Sequence, residues 1–297
     1  MTIDSAEIWQ RLRPYLEVEH SCIVCGATEF RPWARMEYLV AKECQQCGMI
    51  SVNPHFNEQG LDIFYSTYYS NRIQLTCLAE QRKIMHMIDR DWISLFVSGG
   101  RVLDVGCSGG EFLALFPPDR WERHGVERGT DAAAHARSHF GLSVWDRSIL
   151  DVEFPQAFHL VMLRGVVEHL RHPSLVLEKC CSVLEPGGFL FITATPAGDS
   201  FAFDVYREKW RLFTPLEHIH FFSVPLLTRM VERFGMRLVA QHAQYAETPY
   251  ANPKKDYVRI RSDIVNLHAN RHSEVRDSPP FPGSTLTAVW KKSVDCP

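Results

Sequence analysis

The chain has 297 residues, 45% of them hydrophobic and 23% charged, with a formal net charge of −3 and a pI of 6.5. That length suits one large domain plus a small one, and the near-neutral balance excludes a general pull towards nucleic acid or an acidic membrane. No apolar run reaches membrane-spanning length, and the opening MTIDSAEIWQRLRPYLEVEH carries charges where a signal peptide carries an apolar core, so the expected compartment is cytoplasmic.

Residues 1–18 read as a short helix. Next come two cysteine pairs, Cys22-Ile-Val-Cys25 and Cys44-Gln-Gln-Cys47, each followed by Gly. Two CxxC knuckles at this separation predict a zinc ribbon over 20–52, with four thiolates closing the site around a structural Zn2+. The glycines let each knuckle turn its amides towards the sulfurs. The other five cysteines show no ligand spacing and read as small apolar residues. An aromatic cluster containing Tyr68 and Tyr69 follows, then a helical pattern over 78–97.

From 101 the pattern alternates. RVLDVG is a strand, and GGEFLALF is expected to open a helix that Pro117-Pro118 stops. WERHGVE is a second strand, and TDAAAHARSHF a helix closed by Gly141. LSVWD, FHLVMLRG and FLFITATP are three more strands, the last two separated by the helix PSLVLEKCCSVL. A helix, PLLTRMVERFG, and two strands, MRLVAQHAQY and STLTAVWKK, complete the chain around a polar segment, 251–283. The alternation predicts an α/β fold, a Rossmann-like doubly wound, mostly parallel sheet of seven strands, with the small N-terminal zinc ribbon attached. The expected divisions are an N-terminal helix and ribbon over 1–56, a helical lid or connector over 57–98, and the main domain over 99–297.

The stretch VLDVGCSGGEFL, residues 102–113, raises the question of function. A triphosphate loop needs Gly-Lys-Ser/Thr where this chain has Gly110-Glu111, which excludes it. A dinucleotide loop needs a later third glycine, and Asp104 would oppose a pyrophosphate at the turn. A sulfonium or ammonium would instead be attracted by that carboxylate.

At this point the chain resembles the class I S-adenosylmethionine-dependent methyltransferases, and specifically a bacterial branch that joins an N-terminal zinc ribbon to that fold. The resemblance spans about 101–195 and implies S-adenosyl-L-methionine bound by Asp104, Gly106, Ser108 and Gly110 of the first crossover. It also implies that Glu127 takes the ribose hydroxyls, that Ser148 and Ile149 of DRSILDVEFP meet the adenine, and that Arg164 of FHLVMLRGVVEHL belongs to the cofactor site. Ser148 stands where many relatives carry Asp. Related ubiquinone-pathway O-methyltransferases bind a divalent cation through Glu-His and a second acid one turn earlier. Glu168-His169 match, the earlier position is Gly165, and no catalytic metal is expected.

The stretch WRLFTPLEHIHFFS, which also resembles that branch, puts Glu217, His218 and His220 after the fifth strand, where an acceptor should lie. A hydroxyl acceptor needs a proton acceptor, which makes His218 the candidate general base, oriented by Glu217. Tyr69 is a further catalytic candidate if the connector folds over the site. The branch often serves cell-surface polysaccharide or natural-product pathways, which implies O-methylation of a sugar or similar small molecule. C-methylation of a nucleotide-linked sugar is the alternative, although Pro215 occupies the position of an expected tyrosine. A zinc-module RNA methyltransferase would predict a basic stripe, whereas the ribbon mixes Arg31, Arg35 and Lys42 with Glu29, Glu37 and Glu43, against nucleic acid as a partner. A non-catalytic adaptor would predict a spoiled cofactor loop. The sequence leaves the oligomeric state open.

Overall fold

The computed structural model describes residues 5–36, 39–65 and 78–294. The N-terminal part holds α1 (Ser5–Leu12), β1 (Leu16–Glu17), β2 (Phe30–Met36), β3 (Leu39–Cys44), β4 (Ile50–Val52) and β5 (His55–Phe56). α2 (Glu58–Tyr65) and α3 (Ala79–Ile93) lead into the alternating part. This comprises β6 (Gly100–Val105), β7 (Trp121–Val126), α4 (Thr130–Phe140), β8 (Ser143–Trp145), β9 (Phe158–Arg164), α5 (Pro173–Ser182) and β10 (Leu184–Pro196). The remainder is α6 (Phe201–Tyr206), β11 (His220–Phe221), α7 (Val224–Glu232), β12 (Met236–His242), α8 (Pro253–His268) and β13 (Thr285–Lys292).

Seven strands form the central sheet in the order β12-β13-β10-β9-β6-β7-β8. β10, β9, β6, β7 and β8 pair in parallel, and β13 runs antiparallel to both of its neighbours. Both sheet faces are apolar because alternate residues of each strand point to opposite sides. Leu103, Val105, Val161, Leu163, Leu190 and Ile192 pack with α5 and α7 residues such as Leu177, Cys180, Leu227 and Met230. Val102, Leu160, Met162 and Phe191 pack on the other face with Ile93, Phe112, Phe116 and Ala136. The crossover loops therefore gather at the carboxyl ends of β6, β7, β9 and β10, where such sheets bind ligands.

One expectation is corrected, and one segment gains a helix. The helix after the glycine loop is only a 3-10 turn, Leu113–Leu115. Gly109-Gly110 and Pro117-Pro118 leave too few residues between them to repay helix nucleation. The polar segment 251–283 contains the helix α8, with Asn252 capping it by accepting the Lys255 amide at 3.3 Å. Its buried stripe is Asp256, Ile260 and Asp263. The Tyr245 hydroxyl donates to Asp256 at 2.8 Å and the Tyr206 hydroxyl to Asp263 at 2.7 Å, so two of the packed positions read as polar in sequence.

The cysteine-bearing segment is built into the rest of the chain. β11 adds to the edge of its sheet, giving the order β11-β4-β3-β2 with His220 opposite Ser51 and Phe221 opposite Ile50. Cys22, Cys44 and Met49 share a core with Phe222, Leu227 and Val176. A second core joins Trp33, Leu39 and Val52 to Phe203, Trp210, Phe213 and Ile260. Among the described residues no helix is long and apolar enough to cross a membrane.

Candidate functional site

The first crossover is a tight turn made by three left-handed residues, Gly106 (φ 74°), Ser108 (φ 51°) and Gly110 (φ 86°). A side chain at Gly106 would stand 2.7 Å from the Val166 side chain, and one at Gly110 would stand 2.6 Å from Leu142. The turn thus needs glycine at both positions for space as well as for conformation. Glu127 follows β7 and is fixed by two amides, accepting from Ser108 at 2.9 Å and from Gly129 at 2.7 Å.

Asp104 lies near the end of β6, 2% exposed, and its Oδ1 has no hydrogen-bond partner among the described residues. Burial pushes its carboxyl up to about 8; Arg164 pulls it down and Glu127 pushes it further up. An unpartnered buried carboxyl beneath a small-residue turn suits a cationic ligand. Ser148 caps the short turn Ile149–Asp151 by accepting the Leu150 amide at 3.3 Å, and Ile149 is buried.

Arg164 ends β9, with its guanidinium 5.6 Å from the Phe112 ring centroid and Nε donating to Asp89 at 2.8 Å. Asp89 is fully buried and also accepts from Thr193 at 2.9 Å and from Gln244 at 2.7 Å. Sequence reading passed over Asp89. Its signal was an acid four residues before Ile93, on the buried stripe of α3.

The next loop carries Glu168 and His169, and Val166 of that loop is the residue packed against Gly106. His218 joins them, so that one donor atom from each of Glu168, His169 and His218 lies within 4.8 Å of the others. His218 Nδ1 is 2.9 Å from the Leu212 carbonyl and 2.9 Å from the Thr214 hydroxyl. The Glu217 carbonyl accepts from His169 Nδ1 at 2.8 Å, and the Tyr65 hydroxyl lies 3.0 Å from the same nitrogen. Burial pushes the His218 imidazole down, with the Leu212 carbonyl opposing. Tyr65, at the end of α2, is a neighbour of the trio that sequence reading did not single out; Tyr69 lies outside the described residues.

Residues 79–241 match the family model described as a methyltransferase domain. The chain belongs to that family. The ubiquinone biosynthesis O-methyltransferase of Pseudomonas fluorescens (strain SBW25) is 32% identical over 112 residues, covering 35% of this chain and 48% of that protein. Its counterpart from Stutzerimonas stutzeri (strain A1501) is 29% identical over 124 residues, covering 38% and 53%. The chain thus spans about half the length of the curated relatives it matches. Among solved structures, magnesium protoporphyrin IX methyltransferase from Synechocystis PCC 6803, with bound S-adenosylhomocysteine, superposes with a TM-score of 0.55 at 9% identity, covering 80% of this chain and 100% of that one. The 1,6-didemethyltoxoflavin-N1-methyltransferase of Burkholderia thailandensis gives 0.54 at 14% identity, covering 89% and 99%.

The second donor cluster of the chain lies beside its N-terminal sheet. Cys22, Cys25, Cys44 and Cys47 converge, with sulfurs 3.5 Å apart for Cys22–Cys47 and 3.6 Å for Cys25–Cys44. Each knuckle closes identically. The Gly26 amide donates to the Cys22 carbonyl at 2.8 Å and the Gly48 amide to the Cys44 carbonyl at 2.9 Å, with both glycines left-handed. Four thiolates around a tetrahedral ion with bonds of about 2.3 Å would stand about 3.8 Å apart, so the donor set fits zinc.

Proposed function

We propose that the chain is an S-adenosylmethionine-dependent methyltransferase that methylates a hydroxyl of a small molecule, a sugar or similar natural-product or polysaccharide intermediate. The observation that carries this reading is the adjacency of two arrangements. Asp104 and Glu127 surround a turn suited to a cationic cofactor, and Val166 packs that turn against the loop bearing Glu168 and His169 beside His218. Methyl transfer requires an oxygen aligned behind the sulfonium methyl, and alignment alone lowers much of the barrier.

In this reading Asp104, Gly106, Ser108, Gly110, Glu127, Ser148, Ile149 and Arg164 hold the cofactor. His218 receives the acceptor proton. Donation from Nδ1 to the Leu212 carbonyl keeps the lone pair on Nε2, and burial keeps the ring neutral at pH 7, ready to accept a proton. Leu212 and Thr214 hold the ring, Glu217 keeps its proposed orienting role, and the Glu217 carbonyl also serves His169. Tyr69 remains a proposed catalytic residue. The four cysteines hold a structural Zn2+ with no open position for chemistry. The proposed divisions are 1–56, 57–98 and 99–297, in a cytoplasmic enzyme.

The test is transfer of label from S-adenosylmethionine to a panel of nucleotide sugars and phenolic acceptors, with cofactor affinity measured by calorimetry. His218→Ala should lower turnover at least a hundredfold at unchanged cofactor affinity. Unchanged turnover removes the base role, and failure to bind S-adenosylmethionine removes the function.

A further inference from the structure

We propose that Asp89 is a positioning residue of the cofactor site: it holds the Arg164 guanidinium so that the terminal nitrogens take the carboxylate of S-adenosylmethionine. The inference deepens the proposed function and rests on it.

Asp89 lies on α3, on the stripe that ends at Ile93 and packs against the sheet face of Val102 and Met162. It is fully buried, and three donors converge on it from three parts of the chain. Oδ2 accepts from Arg164 Nε at 2.8 Å, while Oδ1 accepts from the Thr193 hydroxyl at 2.9 Å and the Gln244 amide at 2.7 Å. Thr193 and Arg164 are register partners on β10 and β9, so one carboxylate bridges both strands. The Thr193 proton points to Asp89, and its oxygen accepts from the Thr287 hydroxyl of β13 at 2.7 Å. A buried charge is retained where a guanidinium and further donors compensate it in this way.

The guanidinium is held on two sides, by Asp89 at Nε and by the Phe112 ring at 5.6 Å. Among the described residues its terminal nitrogens make no hydrogen bond. Met162 pairs with Asp104, and Arg164 lies two residues further along β9, on the same face and nearer the carboxyl edge. The two side chains sense each other, since Arg164 pulls the Asp104 carboxyl down.

The amino-acid end of S-adenosylmethionine is itself an ion pair, an ammonium beside a carboxylate. Asp104 suits the ammonium. A guanidinium would repel the nearby sulfonium unless it met an anionic group, and the carboxylate is the only one this cofactor carries. The parallel N–H groups of an arginine fork match the two carboxylate oxygens. A long side chain free to swing would lose that match, and Asp89 fixes it from behind.

The experiment measures, by calorimetry on the full chain, the affinities of S-adenosylmethionine and of decarboxylated S-adenosylmethionine, which keeps the sulfonium and the amine. The unsubstituted chain should prefer the carboxylated compound by roughly tenfold or more. Asp89→Asn keeps the volume but offers one acceptor oxygen to three donors, so the preference should fall by roughly fivefold or more. Arg164→Gln should lower it as much, and reads the carboxylate contact even where Asp89→Asn fails to fold. A purely structural Asp89 would weaken both ligands alike. One that only tempers the charge of Arg164 would raise the preference when replaced by Asn. Equal affinities in the unsubstituted chain, equal weakening or a raised preference in Asp89→Asn, or a preference retained in Arg164→Gln would each overturn the proposal. A chain that binds both compounds equally yet methylates an acceptor overturns this proposal alone. One that shows the expected preferences but methylates nothing upholds it and counts against the proposed function.

Discussion

The amide of Ser108 and the carboxylate of Glu127 are joined at 2.9 Å, so the glycine turn and the end of the second parallel strand hold each other in place. The other Glu127 oxygen takes the Gly129 amide at 2.7 Å, ahead of α4. Glu127→Gln keeps the shape but loses the charge and one of the two acceptors. It should weaken S-adenosylmethionine at least tenfold and cost about 1.5–3 kcal/mol of stability. Calorimetric titration and urea unfolding measure the two effects.

Asp104 predicts proton-coupled cofactor binding. Its carboxyl is raised to about 8 by burial, so in the free protein it is largely protonated at pH 7. A sulfonium or ammonium nearby favours the carboxylate, so binding expels a proton. Affinity should therefore rise with pH by up to about tenfold per unit below pH 8 and level off above it. Calorimetry in buffers of different ionisation enthalpy counts the protons, and Asp104→Asn should abolish both the release and the pH dependence.

Much of this was legible in sequence because the relevant interactions are local or periodic. The CxxC spacing, the alternating strand faces and the glycines of the first crossover each depend on residues a few positions apart. What was not legible depends on distant partners. Nothing in HFFS announces that His220 and Phe221 add a strand beside Ile50 and Ser51. Asp89 gave only an acid on an apolar stripe, and its role appears when Arg164, Thr193 and Gln244 arrive from three other elements. His218 was legible as a candidate base. Its place beside Glu168 and His169 depends on how two loops meet.

The cysteine cluster predicts that zinc stabilises the whole chain. Cys44 and Met49 pack in one core with Phe222, Leu227 and Leu177, so loosening the knuckles opens the main sheet's covering. Cys44→Ser, or a strong chelator, should lower the unfolding midpoint by roughly 2–4 °C for each kcal/mol lost. Scanning calorimetry with metal analysis checks it. A main transition indifferent to zinc would show that the segment folds independently.

Gly198 predicts a separation of catalysis from cofactor binding. Its amide donates to the Phe222 carbonyl at 2.7 Å, and a Cβ there would stand 2.2 Å from the Phe221 carbonyl oxygen. Gly198→Ala must push away the segment that carries His218 and His220, at a cost of about 1–3 kcal/mol. Turnover should fall while S-adenosylmethionine affinity changes little, since the glycine turn proposed to hold the cofactor lies on other strands. Equal loss of both would place the Phe221 segment in cofactor binding.

His220 predicts acid sensitivity at the junction of the two sheets. The ring is 1% exposed, its Nδ1 is 3.0 Å from the Ser51 hydroxyl, and the His55 ring lies 6.0 Å away. Burial pushes His220 down to about 3, and His55, Arg171 and His172 nearby also bear on its charge. A histidine held below its ordinary value keeps its full stabilising contribution above about pH 6.5 and loses it as pH falls towards the folded value. Between pH 7.5 and 5.5 this one group should remove about 1.4 kcal/mol of unfolding free energy. His220→Leu removes the titration. Its stability at pH 7.5 should drop by about 1 kcal/mol through the lost Ser51 hydrogen bond, yet its decline on acidification should be shallower by that 1.4 kcal/mol. Urea unfolding of both proteins at the two pH values decides it. Parallel declines would mean that water reaches the imidazole, or that His55 alone carries the acid response.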